Sequence, residues 1–80
     1  MRLPRDLDPQ SLVRALSALG YEATRQTGSH VRVTTLLDGE HHEVIPVPKP
    51  IKVGTLHSIL ASVAKHHGMA VGELMRKLRI

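Results

Sequence analysis

The chain has 80 residues and a mass of 8.8 kDa, which is enough for one small core and too little for two. It has no cysteine, so it holds no disulfide framework and no thiolate zinc site, and its one aromatic residue argues against nucleic-acid binding through stacked aromatic platforms. The formal charge of +4 falls unevenly: residues 1–40 carry five Arg against five Asp and Glu, while residues 41–80 carry six Lys and Arg against two Glu, which suggests an anionic partner, nucleic acid first, although an ordinary cationic surface is the plainer reading of charge alone.

The N-terminus, Met1-Arg2-Leu3-Pro4-Arg5-Asp6, lacks the apolar run of a signal peptide. No stretch approaches the ~20 apolar residues of a membrane span, so a cytoplasmic protein with no membrane partner is expected. The first helix is well marked. Asp8 stands at an N-cap and Pro9 at the first helical position. Leu12, Val13, Leu16 and Leu19 then make one apolar face, and Gly20 closes the helix.

Three strands follow, at about 21–26, 30–37 and 41–47. Gly28-Ser29 marks the first turn and Asp38-Gly39 the second. A three-residue loop at 38–40 sets Val31 opposite Val47 and Val33 opposite Ile45, which gathers four β-branched residues on one face. A three-residue loop at 27–29 pairs Ala23 with Val33 and keeps Arg25 away from Arg32. His30, Arg32 and Thr34 then point away from the apolar face, with His30 across from Pro48.

Prolines at 46, 48 and 50 end the ladder. A second helix starts near Gly54-Thr55 with Leu56, Ile59, Leu60 and Val63 as its stripe, and Gly68 ends it. A third, short helix at about 70–78 carries Val71, Leu74, Met75 and Leu78. The predicted fold class is α+β, an α-β-β-β-α order with a three-stranded antiparallel sheet, both long helices on one face and an extra C-terminal helix. The core of the single domain is expected at about 9–67 and the extension at about 68–80. Such a domain is marginal, on the order of 5 kcal/mol, and a tight partner would stabilise it.

His30 is the leading chemical candidate. It follows a glycine turn that permits close ligand approach, and it shares a strand face with Arg32. A histidine titrates near neutral pH and serves as an acid or base, and a guanidinium attracts phosphate. A base that deprotonates a ribose 2′-OH lets that oxygen attack its own phosphorus, with no metal or other cofactor required. The competing reading is a surface histidine with no role. His41-His42-Glu43 has the composition of a metal site, but neighbours on a strand point to opposite faces, so these residues are expected to flank a hairpin in solvent. His66-His67 suits the negative end of a helix dipole. Lys49, Lys52, Gly54 and Thr55 lead into the second helix, whose free N–H groups form an anion site; ordinary capping by Thr55 is the plain alternative.

The segments Arg25-Gln26-Thr27-Gly28-Ser29-His30, Val31-Arg32-Val33, His42-Glu43-Val44-Ile45-Pro46-Val47, Lys52-Val53-Gly54-Thr55-Leu56 and Ile59-Leu60 together resemble the HicA toxins, small mRNA interferases of bacterial toxin–antitoxin systems. The resemblance covers about residues 11–64. It implies a double-stranded-RNA-binding-like fold, ribosome-independent RNA cleavage with His30 as catalytic residue, and a HicB-type antitoxin that covers the active site, with oligomers built through it. By position Gly28 and Ser29 match the turn before the catalytic histidine, and Lys52, Gly54 and Thr55 match the basic start of the second helix. Two departures stand out: many relatives carry a second histidine where this chain has Pro48 followed by Lys49, and Glu43 replaces a commonly apolar strand residue. A non-catalytic RNA-binding module and a protein-interaction domain are the alternatives to a nuclease.

Overall fold

The computed structural model describes residues 3–47 and 50–80. Helix α1 spans Pro9–Leu16 and runs into a 3-10 turn at Ser17–Leu19. Strands β1 (Glu22–Thr27), β2 (His30–Thr35) and β3 (His41–Pro46) follow, then helices α2 (Val53–His66) and α3 (Val71–Leu78). The strands form one antiparallel sheet in the order β1-β2-β3. The α+β architecture expected from the sequence is present, including the extra C-terminal helix. Among the described residues no helix is long and apolar enough to cross a membrane.

The α1 signals act as expected. The Asp8 carboxylate accepts a hydrogen bond from the Gln10 amide at 3.2 Å, and Pro9 occupies the first turn, where no N–H is needed. Leu12 and Leu16 are fully buried against the sheet. Val33 and Ile45 meet them from the strands, and Leu56, Leu60 and Val63 from α2. Leu74, Met75 and Leu78 bring α3 into the same core. One sheet face is therefore covered and the other left open.

Gly20 ends the first helical segment with φ +83°, a conformation that costs an L side chain free energy. A Cβ there would lie 2.8 Å from the Thr35 hydroxyl oxygen. That hydroxyl is buried, donates to the Leu19 carbonyl at 2.7 Å and accepts from the Leu37 amide at 3.0 Å. Gly20→Ala is therefore expected to destabilise the domain by about 2–4 kcal/mol, combining backbone strain with a displaced buried hydrogen bond. Gly28→Ala, at φ +51° with no atom within 4 Å of the added carbon, should cost only about 1 kcal/mol. Denaturant titration of both variants checks the ordering; equal losses would refute it.

The strand register differs from the expected one in two places. The connection between β2 and β3 is five residues long, because Thr35 pairs with His41. Val31 therefore faces Ile45 and Val33 faces Glu43, not Val47 and Ile45, and His30 faces Pro46 in place of Pro48. The shift is two residues, so the same side chains keep the core face. Its cause is local. The Thr35 hydroxyl captures the Leu37 amide, Gly39 N–H closes a turn onto the Leu36 carbonyl, and Asp38 and Gly39 both take positive φ. Leu36 and Leu37 are thereby lifted out of the ladder into solvent.

The second difference lies in the β1–β2 hairpin. Thr27 pairs with His30 across a two-residue Gly28-Ser29 loop, and the register shifts between Ala23 and Arg25. Ala23 opposes Val33 as expected, but Arg25 stands directly opposite Arg32. The extra residue, Thr24, is a β-bulge whose hydroxyl meets that of Thr34 at 3.0 Å.

The second helix also starts earlier than Gly54-Thr55. Lys52 is its N-cap residue and makes no side-chain cap; Thr55 sits inside the first turn and does not cap it. Gly68, with φ +68°, closes the end of α2 as anticipated.

Candidate nucleic-acid interface

His30 opens β2 on the uncovered sheet face and is exposed. Its Nδ1 lies 3.3 Å from the Ser29 hydroxyl. With Nδ1–H donating to that oxygen, Nε2 carries a lone pair toward solvent. A proton acceptor on an open face is what a ribose hydroxyl could reach. Gly28 supplies the positive φ that lets the two-residue hairpin close beside the ring.

Arg32 lies two residues along the same face. Together with Arg25, Thr27, Val44 and His30 it lines a shallow depression of about 230 Å³. Among the described residues neither guanidinium forms an ion pair or a side-chain hydrogen bond. Like charges directly opposite one another across a sheet are destabilising, by roughly 0.2–1 kcal/mol relative to a neutral pair. The region is cationic, open and unneutralised. Sequence reasoning missed Arg25, Thr27 and Val44 as members of it. The signal was the Gly28-Ser29 pair, which fits a two-residue loop as well as a three-residue one.

The other expected site residues lie nearby but apart. His66 at the end of α2 donates from Nε2–H to the carbonyls of Leu37 and Gly39, so that end of α2 is fixed at the β2–β3 loop. A 14-residue helix rises about 21 Å, similar to the length of a strand here. The first turn of α2 therefore lies at the opposite end of the molecule, with the Gly28-Ser29 turn. Lys52, Gly54 and Thr55 are all exposed there, and a Cβ on Gly54 would meet nothing within 4 Å. They approach from the helical side and line no part of the depression. Pro48 and Lys49 lie outside the described residues.

A second polar cluster occupies the far end of the sheet. Here the structure corrects the expectation that His41 and Glu43 flank the hairpin in solvent. Both lie on the core face at its rim, the face they share with Ile45, with side chains 19% and 12% exposed. His42 alone faces outward, bonded to Thr34 at 2.7 Å and Glu40 at 2.8 Å. His66 and His67 are more than dipole partners. Asp38 accepts from His67 Nδ1–H at 2.9 Å, and Tyr21 Oη joins His67 Nε2 at 3.1 Å to His41 Nδ1 at 2.7 Å. The His41 ring stacks on His66 with centroids 4.4 Å apart. His41 Nε2 then faces the Ser62 hydroxyl and the Glu43 carboxyl, each at 3.3 Å. Among the described residues no three His, Asp or Glu side chains are arranged to hold a metal ion.

The chain of bonds has a direction. With neutral rings, Asp38 fixes the His67 tautomer, Tyr21 donates to His67, and His41 donates to Tyr21. His41 Nε2 is left with a lone pair beside Glu43, so that contact is attractive only when one proton is shared between them. Burial pushes the Glu43 carboxyl up, while a hydrogen bond from Ser62 opposes that shift. Burial pulls the His41 imidazole down, helped by His66, His67 and His42.

A raised carboxyl contributes stability that is lost as pH rises; a lowered imidazole contributes stability that is lost as pH falls. The two oppose each other between the ordinary values of 4.5 and 6.5. The wild type is therefore expected to show a smaller pH dependence from this pair in that window than either group alone would give. Glu43→Gln removes one side of the balance, and its stability should fall from pH 7 to pH 5 relative to wild type. Denaturation curves at the two pH values test this, and parallel behaviour of the two proteins would contradict it.

No curated protein and no solved structure matches the chain. One sequence family does: the family model described as the HicA toxin of bacterial toxin–antitoxin systems matches residues 10–69. That span contains α1 from its second residue, the whole sheet, α2 and every candidate residue on the open face. A match over so much of the 80 residues shows the family, and the chain belongs to the HicA toxins.

Proposed function

We propose that this toxin is a metal-independent endoribonuclease that cleaves mRNA in the cytoplasm, with His30 as general base. The observation that carries the reading is His30 itself: exposed, steadied at Nδ1 by Ser29, and set beside unpaired guanidinium groups. Nε2 takes the proton of a ribose 2′-OH. The 2′ oxygen attacks the adjoining phosphorus, the bond from phosphorus to the 5′ oxygen breaks, and that oxygen takes a proton from water. The internal nucleophile makes a metal-bound hydroxide unnecessary. Arg32 holds a phosphate of the bound strand, Gly28 and Ser29 shape the approach, and Lys49, Lys52, Gly54 and Thr55 with the start of α2 bind phosphates further along.

The partner that neutralises this toxin is a HicB-like antitoxin that covers the open face. The test is incubation of purified protein with RNA in excess EDTA. Wild type should yield 2′,3′-cyclic phosphate ends, and His30→Ala should not. Equal cleavage by both would remove His30 from the mechanism. RNA retention with no cleavage by wild type would leave a binding module.

A further inference from the structure

Arg25 lines the depression beside His30 but has no role in the reading above, and its position is the work of one irregularity. At the Ala23–Val33 pair β1 and β2 are in a register that, continued without interruption, would set Arg25 on the helix-covered face beside Val31. The bulge at Thr24 shifts the pairing by one residue. Gln26 then takes the place opposite Val31, and Arg25 turns onto the open face opposite Arg32. Bulges that re-aim a side chain recur next to functional sites. Here the side chain is aimed at a like charge, and among the described residues no carboxylate pairs with either one.

We propose that Arg25 and Arg32 form a two-pronged clamp for the phosphodiester backbone of RNA, one nucleotide away from the bond that His30 attacks. The proposal rests on the nuclease reading for what His30 does, but not for the binding itself. Directly opposed residues on adjacent strands lie about 5 Å apart at Cα, so two guanidinium forks can grip one phosphate from both sides. His30 lies two residues further along β2, about 7 Å away. Val44, half exposed and opposite Arg32 on β3, gives the depression an apolar side for a ribose or base. An anion seated in the clamp removes the repulsion that the free protein tolerates.

The test uses the full chain carrying His30→Ala, so that RNA survives. Affinity for a short single-stranded RNA is measured by anisotropy at several salt concentrations. Arg25→Gln is expected to weaken binding about 10-fold and to reduce the salt slope by about 0.7–1, the loss of one phosphate contact. Arg25→Lys should recover the slope but only part of the affinity, because a lysine cannot fork. Arg76→Gln removes the same charge from exposed α3 and should leave the slope unchanged. In the otherwise wild-type chain, Arg25→Gln should raise KM and leave kcat within about threefold. If Arg25→Gln and Arg76→Gln behave alike, the clamp is wrong, whatever happens to cleavage. If Arg25 sets the salt slope and wild type cleaves nothing, the clamp stands and the nuclease reading falls.

Discussion

Replacing His30 with alanine is expected to lower RNA cleavage by two to four orders of magnitude, the range that positioned acid–base groups supply. The same variant should bind RNA within a few-fold of wild type, because phosphate affinity comes from the arginines and lysines. Its stability should be unchanged within about 0.5 kcal/mol, since the ring is exposed and, among the described residues, its one hydrogen bond is to the neighbouring Ser29. These three measurements separate a base from a binding group. Loss of binding together with cleavage would make His30 a ligand for phosphate, and loss of stability would make it structural. Ser29→Ala tests the tautomer: without the oxygen that accepts from Nδ1–H, the ring turns freely, and cleavage should fall by roughly 3–10-fold with binding intact.

The covered side of the domain was open to sequence reasoning because its signals are strictly local. The Asp8-Pro9 start, the leucine stripe of α1, the apolar spacing of α2 and the glycines at 20 and 68 each act through neighbours in the chain. The face on which Val31, Val33 and Ile45 lie was also legible, because a shift of two residues preserves it. The hairpin lengths were not. They depend on Thr35 reaching Leu19, a contact across 16 positions, and on a bulge that no periodicity announces.

The same two irregularities decide both polar sites. The bulge brings Arg25 to Arg32 on the open face. The longer β2–β3 loop carries Asp38 to His67 and Glu43 to Ser62 on the other side. His30 could be singled out in advance because its turn and its strand neighbour Arg32 are contiguous in sequence. The histidine cluster could not, because its members come from four separated segments and its hub is a tyrosine that periodicity assigned only to a strand end.

Tyr21→Ala is expected to leave the domain largely unfolded at 37 °C. Tyr21 is the only aromatic residue of the chain and is 1% exposed, so truncation opens a cavity costing about 3–5 kcal/mol. A domain of this size holds only about 5 kcal/mol in total. Tyr21→Phe separates packing from the polar role. It keeps the ring but leaves a donor on His41 and an acceptor on His67 without their partner, for a loss of about 1–3 kcal/mol. The hydroxyl cannot be replaced by its anion at ordinary pH, because burial and the nearby Glu43 charge push its pKa up to about 12. Both variants are read by thermal and urea denaturation. The phenylalanine variant is then assayed for RNA cleavage at 15 °C, where it stays folded. The cluster lies at the far end of the sheet from His30, so its rate should match wild type. A Tyr21→Phe variant as stable as wild type would mean that the two histidines find other partners at no cost. A folded variant with a depressed rate would mean that the two ends of this small sheet are coupled.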